Sequence, residues 1–362
     1  MNPTSGLYVH VPFCDKRCDY CDFVTFSDRP NVIDPYLNAL DRELAFHTGT
    51  SIKTLFIGGG TPTALSAEQI ARLMSSIRGR LDLSPLVEAT VEANPESATS
   101  DRLSAYREGG INRLSIGLQT TNDETLARLG RLHDFDGFLR AYGGARSAGF
   151  ENVNIDLMFG LPGQTMADWQ TTLDRVIDLR PEHVSAYALK VETGTRFFRD
   201  GVEADGDLQA DMYLLASETL ERAGFSHYEI SNFARPGRES LHNLRYWLNE
   251  DVIGVGVSAA GYRNGVRRKN TSKLHPYIEQ CLAGTLPEAE ETSLDLSERD
   301  REDLMLRLRL RSGADASALR NAGVPNLDVF LSRGLAIETD GRFALRPAGW
   351  LLSNQLFQHL VA

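Results

Sequence analysis

Residues 9–23 read VHVPFCDKRCDYCDF and place Cys14, Cys18 and Cys21 within eight positions of a chain that holds four cysteines in all. Three thiols cannot all pair with one another, and no apolar leader points to an oxidising compartment, so a disulfide framework is not expected. Structural zinc takes four closed ligands, usually as two separated pairs, whereas here the remaining cysteine is the distant Cys281 and only His10 lies near in sequence. Three thiolates suit an iron–sulfur cube in which the fourth iron stays open for another ligand. The spacing is C-x3-C-x2-C, unlike the C-x2-C-x2-C run of ferredoxins. Cys281 reads as a small buried residue.

Such a loop needs a frame, and six β-rich runs supply it: GLYVHV (6–11), IKTLFI (52–57), EATVEA (88–93), NRLSIGL (112–118), NVNIDLMF (152–159) and HVSAYAL (183–189). Between them lie amphipathic segments with helical spacing, several opening on a Ser, Thr or Asp cap, such as SAEQIARLMSSIRG and QTMADWQTTLDRVIDL. Alternation of this kind predicts parallel strands joined by right-handed crossovers, and six units predict an α/β fold built as a partial (β/α)6 barrel. Loops leaving the strand C-termini build the site of such a barrel. The cysteines follow strand one, GGGTPT (58–63) strand two, EANPE (92–96) closes strand three, Gln119 follows strand four, and Asp156 lies late in strand five.

Three regions are expected: the core barrel over 1–230, an appended sheet region over 231–296 that carries HNLRYW, and a small winged-helix-like unit over 297–362, where TDGR marks a hairpin before a final helix. A net charge of −11 argues against a general nucleic-acid binder. The densest basic run, GVRRKN at 265–270, reads as solvated surface. No run reaches the roughly 18–20 apolar residues that span a bilayer, so a cytoplasmic protein is expected.

YVHVPFCxxxCxYCDF, GGGTPT, GINRLSIGLQT, LGRLH and IDLMFGLPGQT, in that order, are similar to the radical S-adenosylmethionine (SAM) superfamily and, within it, to the oxygen-independent coproporphyrinogen oxidase group. The likeness runs from about residue 6 to about residue 360. It implies a [4Fe–4S] cluster on Cys14, Cys18 and Cys21, with SAM on the open iron and cleaved by the reduced cluster to a 5′-deoxyadenosyl radical. Carried over by motif, Tyr8 and Tyr20 would line the cluster and adenine. Gly59, Gly60 and Thr61 would take the methionyl end through backbone groups. Glu92 would contact the polar part of SAM, Gln119 and Asp156 the ribose hydroxyls, Arg131 the carboxylate, and Ala188 the adenine. An electron donor for the cluster is implied as a partner.

Decarboxylating members of the group carry a fourth cysteine two residues after the third and a longer segment before the cluster. Here Phe23 holds that place and thirteen residues precede Cys14. Both departures fit the heme-chaperone branch, as does HNLRYW (242–247), which resembles an HNxxYW motif associated with heme. His242 offers an axial imidazole, and Tyr246 and Trp247 offer flat faces for a macrocycle; as plain residues, the same three can fill a seam between barrel and appended sheet. The expected function is a heme carrier that supplies recipient hemoproteins, at the inner membrane where delivery requires it. The alternative is a radical SAM enzyme, a coproporphyrinogen decarboxylase or a methyl or methylene transferase. A homodimer is left open.

Overall fold

The computed structural model describes residues 4–360. Each of the six runs forms a strand: β1 Ser5–Val11, β2 Ile52–Gly59, β3 Glu88–Ala93, β4 Arg113–Gln119, β5 Val153–Phe159 and β6 His183–Ala188. They pair side by side in chain order, all parallel. One face of each strand is apolar, with Leu7, Val9, Leu55, Ile57, Leu114 and Ile116 wholly buried. These side chains lie under the crossover helices, which is why the runs read as nearly continuous hydrophobic stretches. The opposite, inner face carries the polar and aromatic residues, among them Tyr8, Phe56, Glu92 and Asp156.

The crossover helices are α1 Ile33–Ala45, α2 Ala67–Arg80, α3 Ser100–Glu108, α4 Phe135–Ser147 and α5 Met166–Asp178. Reciprocal caps fix two of their starts, Ser66 with Gln69 and Thr165 with Asp168. Each satisfies two otherwise orphaned N–H groups. After β6 come α6 Gly206–Arg222, then β7 Ser226–Glu229 and β8 Asn232–Ala234 on one flank of the sheet.

On the other flank β9 Val252–Val255 adds to β1 in parallel, followed by antiparallel β10 Ala260–Arg263, β11 Val266–Asn270 and β12 Glu288–Ser293. The result is one twelve-stranded sheet that does not close on itself, in the order β12-β11-β10-β9-β1-β2-β3-β4-β5-β6-β8-β7. A buried carboxylate clamps the appended strands to the barrel. Glu43 of α1 accepts from Gly256 N at 2.8 Å, Asn270 Nδ2 at 2.6 Å and the Tyr277 hydroxyl at 2.5 Å, the last from α8 Leu274–Leu282. Burial pushes its pKa up to about 7, although these donors favour the ionised form.

HNLRYW is helical rather than part of an irregular sheet segment: α7 spans Leu241–Trp247, capped by Ser240. Its first amides, of Leu241 and His242, donate to the Glu88 carboxylate at 2.9 and 2.8 Å. Arg245 is buried and reaches Thr4 O and Asp251 O, both at 3.3 Å. The helix therefore stops the N-terminal end of the barrel, opposite the cysteine loop.

The C-terminal region follows α9 Leu296–Arg307 with β13 Ala314–Asp315, β14 Ala336–Thr339 and β15 Arg342–Leu345 in a three-stranded sheet flanked by short helices. The expected TDGR hairpin turns on Asp340 and Gly341, both with positive φ. In place of one final helix stand two single turns, Pro347–Trp350 and Asn354–Phe357, with the Ser353 hydroxyl donating to Trp350 O between them. Among the described residues no helix is long and apolar enough to cross a membrane.

Candidate functional site

The cysteine loop is held from several sides. His10 Nε2 meets Val24 O at 3.0 Å, and its Nδ1 meets the Tyr8 hydroxyl at 2.9 Å. Arg17 donates twice to Cys21 O, Asp19 N to Leu129 O, and Phe197 N to Asp19 O. Thr61 Oγ1 donates to Cys14 Sγ at 3.3 Å and Arg131 Nη1 to Cys18 Sγ at 3.5 Å. Burial pushes the Cys14 thiol up to about 11 and raises that of Cys21 as well. Burial thus holds back the free thiolate of Cys14 and Cys21, a cost that coordination of the sulfur as thiolate to a metal cluster would offset. Among the described residues no three Cys, His, Asp or Glu side chains converge as the ligands of one metal ion must. Ligands of a cube each take a different iron, so that convergence is not required of them.

Gly58, Gly59 and Gly60 pack against this loop and its neighbours. A Cβ on Gly58 would lie 2.7 Å from Glu92 Oε2, one on Gly59 2.5 Å from the His10 ring, and one on Gly60 2.8 Å from the backbone of Pro12 and Phe13. Gly59 also has φ +113°. Its N–H donates to Glu92 Oε2, that of Gly60 to Val11 O, and that of Thr61 to Phe13 O. The amides of this loop are therefore spent inside the protein, and of the backbone groups expected to meet a methionyl end the carbonyls remain to offer a ligand.

One cavity gathers the cysteines with Tyr20, Gly59, Gly60, Thr61, Glu92, Gln119, Arg131 and Asp156. Gln119 ends β4 with φ +74° while nearly buried, a strained backbone of the kind that active sites retain. Asp156 accepts from Ser115 Oγ at 2.9 Å and Asn154 Nδ2 at 2.8 Å. Burial raises its pKa, and burial with the nearby Asp156 carries Glu92 to about 7. Such carboxyls await a cation or a hydroxyl donor. A larger hollow of about 680 Å3, against Glu96, Leu132, His133 and Arg140, shares only Arg131 with the expected site.

Residues not singled out from sequence also build the site. Asn94 donates to Thr61 Oγ1 at 2.9 Å and accepts from Arg131 Nη2 at 2.9 Å. Gly117 leaves room for the same arginine, since a Cβ there would lie 2.9 Å from Gln119 Nε2 and 3.2 Å from Arg131 Nη2. Arg113, only 2% exposed, faces inward with its Nε unpartnered and lowers the carboxyl pKa values of Glu92 and Asp156 by its charge.

Tyr8 and Ala188 lie outside the cavity. Tyr8 sits deeper on the inner face, 6.2 Å from Phe56 between ring centres, and Ala188 is exposed at the end of β6. The helix α7 residues stand at the far end of the barrel. His242 has no exposed surface, and both ring nitrogens are occupied: Nδ1 by Thr54 Oγ1 at 3.0 Å and Nε2 by the Tyr246 hydroxyl at 3.1 Å. Tyr246 is 40% exposed. Trp247 Nε1 is buried without a partner, and Arg309 lies 5.6 Å over the Trp247 ring.

Comparison with known proteins agrees with this geometry. The Radical SAM superfamily pattern matches residues 8–176. The heme chaperone HemW of Bacillus subtilis (strain 168) is 38% identical over 97% of this chain and 98% of its own length. That of Escherichia coli (strain K12) is 34% identical over 99% of both. The chain belongs to the HemW family of radical SAM proteins. Its fold also matches coproporphyrinogen III oxidase (HemN) from Escherichia coli, a radical SAM enzyme, with a TM-score of 0.85, 26% identity and coverage of 99% of this chain and 90% of that one. Membership of the superfamily implies a [4Fe–4S] cluster and SAM. The donor set fits them: three thiols on one loop, a buried guanidinium with an unpartnered Nε beside Cys18, and glycines where any side chain would fill the cradle.

Proposed function

We propose that this chain is a radical SAM heme carrier that binds heme and hands it to recipient hemoproteins in the cytoplasm or at the inner face of a membrane. The observation that supports it is likeness to heme chaperones along almost the whole chain, the HNLRYW helix included. Phe23, 64% exposed, stands where decarboxylating relatives have their extra cysteine.

Cys14, Cys18 and Cys21 would hold the cluster, which when bound supplies an electron to SAM. Glu92 and the Gly59 and Gly60 carbonyls would take the ammonium group of SAM, since acceptors are what they have free. Asp156 and Gln119 would meet the ribose hydroxyls, Tyr20 the aromatic part, and Arg131 the carboxylate. Residues 1–230 form the SAM barrel in this reading, 231–296 the heme-bearing extension and 297–362 a separate C-terminal unit. For His242 to bind heme iron, Tyr246 must release its Nε2.

Hemin titration of the purified chain, followed by absorbance, tests the reading beside an anaerobic assay of coproporphyrinogen conversion by the reconstituted protein. Expected are hemin binding, weakened at least tenfold in His242→Ala, and no conversion. Conversion without hemin binding would instead establish the decarboxylase that the likeness to HemN keeps in view.

A further inference from the structure

The basic run of residues 265–270, read from sequence as ordinary surface, occupies a particular face of the sheet. Register carries the inner face of the barrel outward strand by strand. Gly6 lies opposite Val252, Val252 opposite Tyr262, Tyr262 opposite Arg267, and Ala260 opposite Lys269. Neighbours in register point to the same side of a sheet. Tyr262, Arg267 and Lys269 therefore share the face that bears Tyr8, Phe56 and, further round, the SAM site. Arg268 points to the other face.

Along this extension runs a groove of about 370 Å3, within the usual range of roughly 300–1,000 Å3 for small-molecule sites. Tyr246 of α7, Tyr262 and Ala260 line it, the half-exposed Arg267 and Lys269 stand at its rim, and the acidic Glu250 and Glu290 line it as well. Both rim side chains are 47% exposed. Their acidic neighbours leave donors over. Lys269 Nζ has three hydrogens, and its nearest carboxylate oxygen, on Glu290, is 3.9 Å away. Arg267 has five N–H donors and is paired only through Nη2, to Glu302. Aromatic side chains beside two cations that keep free donors suit a flat ligand with anionic groups along one edge.

We propose that this groove seats the porphyrin of the carrier function, with the macrocycle against Tyr246 and its propionates on Arg267 and Lys269. The assignment rests on the heme-carrier reading and adds to it a place and an orientation. Carboxylates on the rim leave the other side of the macrocycle in solvent, from which a recipient can take it.

The full-length chain is titrated with hemin and with hemin dimethyl ester, whose propionates are neutral, in the same mixed solvent; the Arg267→Gln/Lys269→Gln variant is treated alike, its fold checked by circular dichroism and thermal melting. The wild type should bind hemin about tenfold or more tightly than the ester, as one or two charge-assisted contacts give. The double variant should bind both as the wild type binds the ester. Equal binding of the two ligands by the wild type, or a folded double variant that keeps the preference for hemin, overturns the site while leaving the carrier reading intact. A wild type that binds neither ligand overturns both.

Discussion

Arg131 joins the cysteine loop to the fourth strand. Its guanidinium lies 3.5 Å from Cys18 Sγ and donates to Asn94 Oδ1 and Gly117 O at 2.9 and 2.8 Å. A fixed positive charge so near a ligating sulfur favours the reduced state of any cluster held there. Arg131→Gln should lower the reduction potential of the reconstituted cluster by tens of millivolts, about 59 mV corresponding to a tenfold change for one electron, as redox titration followed by EPR would show. An unchanged potential would mean that the arginine serves structure alone. Glu92, Gln119 and Asp156 were readable from sequence because each ends or nearly ends a strand in a recognisable motif. Asn94 and Arg113 were not, because their partners come from other strands and loops: Thr61 and Arg131 for Asn94, Glu92 and Asp156 for Arg113. Which backbone groups of the glycine loop stay free is hidden from sequence for a related reason. Where its amides point depends on Glu92 and on residues 11–13, not on its own composition.

Elements were readable in proportion to how much of their burial is local. The six barrel strands have an outer face packed under helices, and their apolar runs coincide with strand ends to within about two residues, as in EATVEA, which is β3 from Glu88 to Ala93. Helix α7 has only seven residues, too few for a periodicity to register, and its start is set by Glu88, far away in sequence. The buried acid in the join between α1 and the appended strands was likewise invisible, since its donors Gly256, Asn270 and Tyr277 lie more than two hundred residues away in sequence. Glu43 has a folded pKa of about 7 against an ordinary value of 4.5, so its protonated form is the one that burial favours. Its contribution to stability is full below about pH 4.5 and is lost as pH rises through about 7, where the unfolded chain is already ionised and the folded chain must become so. Urea unfolding at about pH 5 and about pH 8 should show Glu43→Gln losing less stability across that interval than wild type, by up to roughly 3 kcal/mol. Parallel losses in the two proteins would assign the pH dependence to other groups.

At the scale of the molecule, the C-terminal unit is packed against the barrel and not merely tethered to it. Trp350 is 3% exposed, donates from Nε1 to Leu308 O at 2.9 Å and meets His227 of β7 edge-on at 4.8 Å. His227 in turn stacks on Phe233 of β8 at 4.0 Å. Trp350→Ala should cost about 3–5 kcal/mol in urea unfolding, as other buried large-to-small changes do, and should expose the β7 flank to limited proteolysis. A loss under about 1 kcal/mol would show the unit to be loosely attached. The two ends of the twelve-stranded sheet are thus treated differently. One is covered by the C-terminal segment, where Ile230 N reaches Arg309 O and Arg311 N reaches Tyr228 O. The other is β12, exposed at every residue and carrying Glu288, Glu290 and Glu291. These charged side chains, paired with Arg268 and Lys269 of the neighbouring strand, would have to be stripped of water for a second copy to add strand to strand, so the open margin disfavours pairing with its like. A sheet border left bare in this way is kept by its charges from becoming a seed for fibres.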